Sequence, residues 1–133
     1  MTSQVIYLGD LSTESTHIQS GTKIISDAPT DNNGKGEAFS PTDLVANALA
    51  SCMLTIMGIK ASSMDVDMAG AKASVTKHMQ SNPRMISKVE VSIEMPFEAD
   101  EKTQTILERA GLTCPVYLSL HPDVEKAVTF SWK

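Results

Sequence analysis

The chain has 133 residues, 20% of them charged and only 5% aromatic, with a net charge of -5 at neutral pH. That length suits a single domain, residues 1–133, whose core must rest on aliphatic side chains and eight methionines. The acidic balance, with Arg84 and Arg109 the only arginines, excludes nucleic acid as the main partner, because phosphate binding needs a dense basic patch.

The first eight residues have neither the basic start nor the long apolar run of an export signal. Two cysteines without a Cys-x-x-Cys spacing fit a reducing cytoplasm, where a permanent disulfide is not expected. Residues 5–8, 13–19 and 23–27 read as three short strands, with Ser20-Gly21 as a turn signal, and so as an antiparallel meander. Residues 28–38 collect Pro29, Asn32, Asn33, Gly34 and Gly36, a polar loop that is either a lid or a plain surface connection.

A helix over residues 40–60 follows. Ser40 is placed to cap it, Pro41 suits its first position, and Asp43 closes a capping-box pattern near the positive helix end. Leu44, Val45, Leu49, Met53, Leu54, Ile56, Met57 and Ile59 fall on every side, which predicts burial nearly all round. Asn47, Ser51 and Thr55 interrupt it too often for a membrane span, and as a stripe they suit close packing with hydroxyls bonded to backbone.

Residues 71–79 and 85–95 alternate apolar and polar around a turn at Ser81-Asn82-Pro83-Arg84, a half-buried hairpin suited to covering the apolar helix. Residues 100–110 predict an amphipathic helix capped by Asp100 and ended by Gly111. A short helix over 113–120, with Thr113 as its cap and Cys114 in its first turn, leads to a last strand over 124–132. This order of elements is α+β.

Local chemistry leaves the cysteines open. Cys52, in mid-helix with no local charge, reads most simply as a small core residue, and burial alone would make it inert. Cys114, beside a positive helix end, is the one local reasoning favours as a thiolate. His17, His78 and His121 are isolated, so no metal centre is expected. Gly34-Lys35-Gly36 lacks the spacing of a phosphate loop, and the Asp31-x-Asn33 start of a calcium loop is not continued.

An apolar helix entered by Ser40-Pro41-Thr42-Asp43-Leu44 and carrying Ala50-Ser51-Cys52, with Thr113-Cys114-Pro115-Val116 further on, resembles the osmotically induced protein and organic hydroperoxide resistance (OsmC/Ohr) family over nearly the whole chain. The resemblance implies an intertwined homodimer, with antiparallel sheets wrapped around long buried central helices and sites at the subunit interface. It implies a cytoplasmic thiol-dependent peroxidase of oxidative-stress defence, acting on organic hydroperoxides without cofactor, metal or membrane. Cys52 matches the position that attacks the peroxide, and Cys114 the position that resolves the sulfenic acid into a disulfide. A dithiol or lipoyl-type reductant restores both thiols. Met53, Phe39 or Tyr117 would line an apolar pocket.

Family members pair the attacking cysteine with an arginine from the N-terminal strands and often add a glutamate in the first turn of the central helix. This chain has Thr42 at that helix position, followed by Asp43, and no arginine before Arg84. Lys23, Lys35 and Arg84 are the candidates to supply the cation, and Glu37 the carboxylate. The alternative reading keeps the fold and makes the chain a binder of an apolar small molecule or an oxidant sensor.

Overall fold

Gly9, Asp10 and Leu11 all take positive φ (86°, 52° and 62°), and that left-handed run reverses the chain between its first two strands. The computed structural model describes every residue, 1–133, and the chain divides into two compact units, Met1–Val45 and Ala46–Lys133. In the first, β1 (Ser3–Gly9), β2 (Ser12–His17) and β3 (Lys23–Asp27) form the expected antiparallel meander in the order β1-β2-β3. Its polar rungs are tied across the strands, Ser12 to Asp27 and Thr13 to Ser26. Its apolar residues point outward instead: Val5, Ile6, Tyr7 and Leu8 are each more than half exposed.

The loop after β3 is held by its own backbone. The Gly34 N–H donates to Pro29 O and the Gly36 N–H to Ala28 O, around a single 3-10 turn at Thr30–Asn32. A Cβ on Gly34 would fall 1.7 Å from Ala28 O, so only glycine fits that turn. Helix α1 (Pro41–Ser63) then starts as its sequence dictates. The Asp43 N–H donates to Ser40 Oγ and the Ser40 N–H to Asp43 Oδ2, both at 3.0 Å, a reciprocal cap with aspartate in the usual glutamate place.

The second unit has a core of its own. Ala46, Leu49, Ala50, Met53, Met57 and Ala61 form one buried stripe of α1, packed with Val89, Val91, Ile93 and Met95 of the hairpin. The expectation of burial all round is therefore corrected: within this chain α1 buries one face, and Val45 and Ile59 remain exposed. By length and composition α1 could cross a membrane, but its buried face is spent on this core.

The hairpin comprises β4 (Lys72–Gln80) and β5 (Met85–Met95), antiparallel, with a bulge between His78 and Met79. Strand β6 (Glu125–Trp132) pairs with β5 in parallel, so the antiparallel expectation holds within the meander and the hairpin but not at this last ladder. A parallel pair needs a crossover, and α2 (Glu101–Leu112) with α3 (Pro115–Ser119) supply it. Trp132 fastens that crossover, its Nε1–H donating to Glu108 at 3.2 Å while its ring meets Phe97 edge-on at 5.7 Å. Asp100 caps α2 through the Thr103 N–H, as expected.

Candidate active site

Gly111 sets the site. It does not end α2 as its sequence suggested; it lies inside the helix and is buried. A Cβ there would come within 2.9 Å of Met57 Sδ and 3.4 Å of Met53 Cε, so the glycine allows α2 to approach α1 closely. Packing against α1 outweighs the local stop signal. Three residues later the chain reaches Cys114, whose N–H donates to Gly111 O at 3.3 Å.

Cys114 is itself the N-cap of α3, and Thr113 closes α2; the expected roles of these two neighbours are shifted by one residue. Cys114 Sγ accepts the Tyr117 N–H at 3.3 Å, and Pro115 at the first helical position has no N–H to leave unsatisfied. The residue is wholly buried, whereas Cys52, one position off the buried stripe of α1, is only half-buried. Both are free thiols, and they lie within hydrogen-bonding reach of each other.

Burial pushes the Cys114 thiol above its ordinary pKa; the Tyr117 and Val116 N–H groups pull it down, and the Cys52 sulfur beside it adds to the rise. Local reasoning that made Cys114 the thiolate is thereby reversed. The helix end does act on it, but desolvation is the larger effect. The pair is asymmetric: Cys114 is wholly buried and holds its proton more firmly than an ordinary thiol, and Cys52 is the sulfur that a solute can reach.

The other sequence candidates have local tasks. Lys23 Nζ lies 3.0 Å from Glu14 Oε1 and also donates to Thr16, a cross-strand pair on the meander. Asp43 Oδ2 accepts the Ser40 N–H of the cap, and the Thr42 hydroxyl lies 3.2 Å from that of Ser40. Lys35 and Glu37 are exposed on the loop before α1, and Arg84 is exposed in the hairpin turn. Of the residues expected to line a pocket, Met53 is wholly buried in the core and lines nothing open. Tyr117 is half-buried beside Cys114, and Phe39 is exposed in the other unit. The Thr55 hydroxyl bonds to Ser51 O, as the small polar stripe suggested. His78 lies beside Glu90, His121 beside Asp123 and His17 beside Ser20.

One charged residue beside Tyr117 was not singled out from the sequence. Lys126 Nζ stands 5.4 Å from the centre of the Tyr117 ring. The signal was present: in a strand alternating as 124–132 does, Lys126 shares its phase with Val128, Phe130 and Trp132.

The profile of the family described as OsmC-like protein matches residues 34–128. The chain is 55% identical to a proposed osmotic stress induced and detoxification response protein from Psychrobacter arcticus, with a TM-score of 0.96 over 98% of this chain and 96% of that one. It is 15% identical to an organic hydroperoxide resistance protein OsmC from Legionella pneumophila, covering 98% of this chain and 97% of that one at a TM-score of 0.77. An organic hydroperoxide resistance protein from Elizabethkingia anophelis, with thiocyanate bound, gives the same identity and TM-score over 100% of this chain and 97% of that one. At those identities the likeness is one of fold. No functionally curated protein matches the chain.

Proposed function

This chain belongs to the OsmC/Ohr family, and from that premise we propose that it is a cytoplasmic thiol-dependent peroxidase reducing organic hydroperoxides. The observation that carries the reading is the thiol pair: a buried Cys114 held protonated against a Cys52 that remains accessible.

The Cys52 thiolate attacks the terminal oxygen of ROOH, the one that carries the hydrogen. The O–O bond breaks, Cys52 becomes a sulfenic acid, and the alkoxide leaves and takes a proton to become ROH. Cys114 sulfur then displaces the hydroxyl of that sulfenic acid, whose oxygen leaves as water with the Cys114 proton, and the Cys52–Cys114 disulfide forms. A dithiol, of lipoyl or other type, reduces the disulfide and is itself oxidised. The balance is ROOH plus a dithiol giving ROH, water and a disulfide, with no metal or cofactor needed.

The reading takes residues 1–133 as one domain and a homodimer as the working form. Outward Val5, Ile6, Tyr7 and Leu8, with Val45 and Ile59 on α1, support a second copy as the cover. The test is steady-state reduction of cumene hydroperoxide with dihydrolipoamide. Wild type should turn over, Cys52→Ser should fall to the uncatalysed rate, and Cys114→Ser should stall after one oxidation. Wild type no faster than Cys52→Ser ends the peroxidase reading.

A second reading, a binder of an apolar small molecule or an oxidant sensor, is favoured by one observation. Lys23, one of the expected supporting charges, is engaged with Glu14 and Thr16 on the first sheet. A sensor forms its disulfide with stoichiometric peroxide but does not turn over with dithiol.

A further inference from the structure

Helix α3 is little more than one turn, and it is built on a sulfur atom. Its first residue, Pro115, has no N–H, and the next two N–H groups, of Val116 and Tyr117, both turn to Cys114 Sγ, the second at 3.3 Å. Beyond them the Leu118 N–H donates to Cys114 O and the Leu120 N–H to Val116 O, both at 3.1 Å. No residue of α3 is fully buried: Val116 and Tyr117 are half-buried, and Leu118 is 69% exposed. Five residues are too few to hold a helix by propensity, so the sulfur cap and the packing of Val116 and Tyr117 decide whether it forms.

The capping sulfur is also a member of the thiol pair. The two free thiols are within hydrogen-bonding reach but not bonded, whereas a disulfide holds its sulfurs about 2 Å apart. Oxidation therefore draws one sulfur toward the other. Cys52 sits in the middle of α1, flanked by buried Ala50 and Met53, while Cys114 lies in the short link between the end of α2 and the start of α3. The larger movement falls on Cys114. Sulfur is a weak acceptor, so a shift of about 1 Å is enough to lose the Tyr117 N–H.

We propose that α3 is a lid gated by the oxidation state of the pair, capped and closed on Cys114 in the dithiol and released when the Cys52–Cys114 disulfide forms. The reductant must attack a sulfur of that disulfide, and in the reduced chain Cys114 is wholly buried. Loss of the cap opens the first turn of α3 at the stage when the external dithiol has to enter, and reduction restores the cap and closes it. The proposal rests on the peroxidase reading for its purpose, and on disulfide formation alone for its mechanism.

The experiment is amide hydrogen exchange of the full-length chain, read by NMR at Tyr117, before and after oxidation with diamide. No hydroperoxide is involved: the two thiols give up two hydrogen atoms, the diazene takes them up as a hydrazine, and the sulfur–sulfur bond forms. The Tyr117 amide should exchange about fivefold faster in the disulfide form, the scale of one lost N-cap, with the Met57 amide of α1 unchanged. Cys114→Ser, whose hydroxyl is a strong cap, should keep the slow rate with and without diamide, and Cys114→Ala should be fast even when reduced. Equal Tyr117 exchange in both forms of wild type, a slow amide in reduced Cys114→Ala, or no Cys52–Cys114 disulfide under diamide overturns the proposal. Turnover of cumene hydroperoxide with Tyr117 still protected in the disulfide form removes the lid alone. Faster exchange after diamide in a chain that does not turn over supports the lid and ends the peroxidase reading.

Discussion

The two three-stranded sheets use similar residues to opposite ends. In the second, Val89, Val91, Ile93 and Met95 are all but inaccessible and share a core with α1 and α2. In the first, Val5, Ile6, Tyr7 and Leu8 run consecutively along β1 with both faces outward, and Ile24 and Ile25 repeat the pattern on β3. A sheet with one dry face alternates apolar and polar, as β5 does; β1 does not alternate, so its apolar residues fall on both faces. The second unit buries its apolar residues in a core of its own, and the first leaves its own exposed within this chain.

One residue type at opposite depths makes the contrast measurable. Val91 is 1% exposed and Val5 60% exposed. Val91→Ala should cost about 2 kcal/mol in denaturant unfolding, from two lost methyl groups and the space they leave. Val5→Ala should cost less than about 0.5 kcal/mol if the first sheet stays bare. A cost for Val5→Ala that grows with protein concentration would mean that a second copy covers the sheet; equal costs at all concentrations would remove the contrast altogether.

Within the second unit, Gly111→Ala tests the helix contact that brings the cysteines together. The added methyl meets Met57 Sδ at 2.9 Å in a packed core, so about 1 kcal/mol of stability should be lost, with slower disulfide formation at unchanged Cys52 alkylation. A slower rate of alkylation instead would place the damage at α1. In the first unit, Ser40→Ala should lose about 1 kcal/mol, because a buried cap hydroxyl serves the Asp43 N–H.

A smaller effect separates the two thiols by pH. The folded pKa of Cys114 lies above its unfolded value, so the folded chain binds the proton more tightly. That contribution is fully present below about pH 8.5, the ordinary thiol value, and is lost as pH rises through the folded pKa. Stability of wild type relative to Cys114→Ser should therefore decline above that point and be flat below it, read from denaturant midpoints across pH.

Much of this was legible in the sequence because the deciding forces were local. Ser40, Pro41 and Asp43 start α1 through contacts made within one turn, and alternation along 85–95 marked the buried face of β5. What local patterns missed was decided by distant residues. Gly111 carries a stop signal that Met53 and Met57, far back on α1, override by packing. Cys114 has the helix end that local reasoning saw, but its burial comes from the core around it. The parallel pairing of β6 depends on where the crossover returns, which no window around residues 124–132 contains. Lys126 is a different case: its phase in the strand was readable, and only its place among apolar neighbours made the phase matter.

The division of labour between the two thiols is tested most directly by adding one equivalent of cumene hydroperoxide to the reduced chain, with dimedone present, and mapping the cysteines by mass spectrometry. The account predicts that wild type loses two hydrogen atoms as a Cys52–Cys114 disulfide, that Cys114→Ser carries a dimedone adduct on Cys52, and that Cys52→Ser stays reduced. An adduct on Cys114 in Cys52→Ser, formed as fast as the wild-type disulfide, would contradict it.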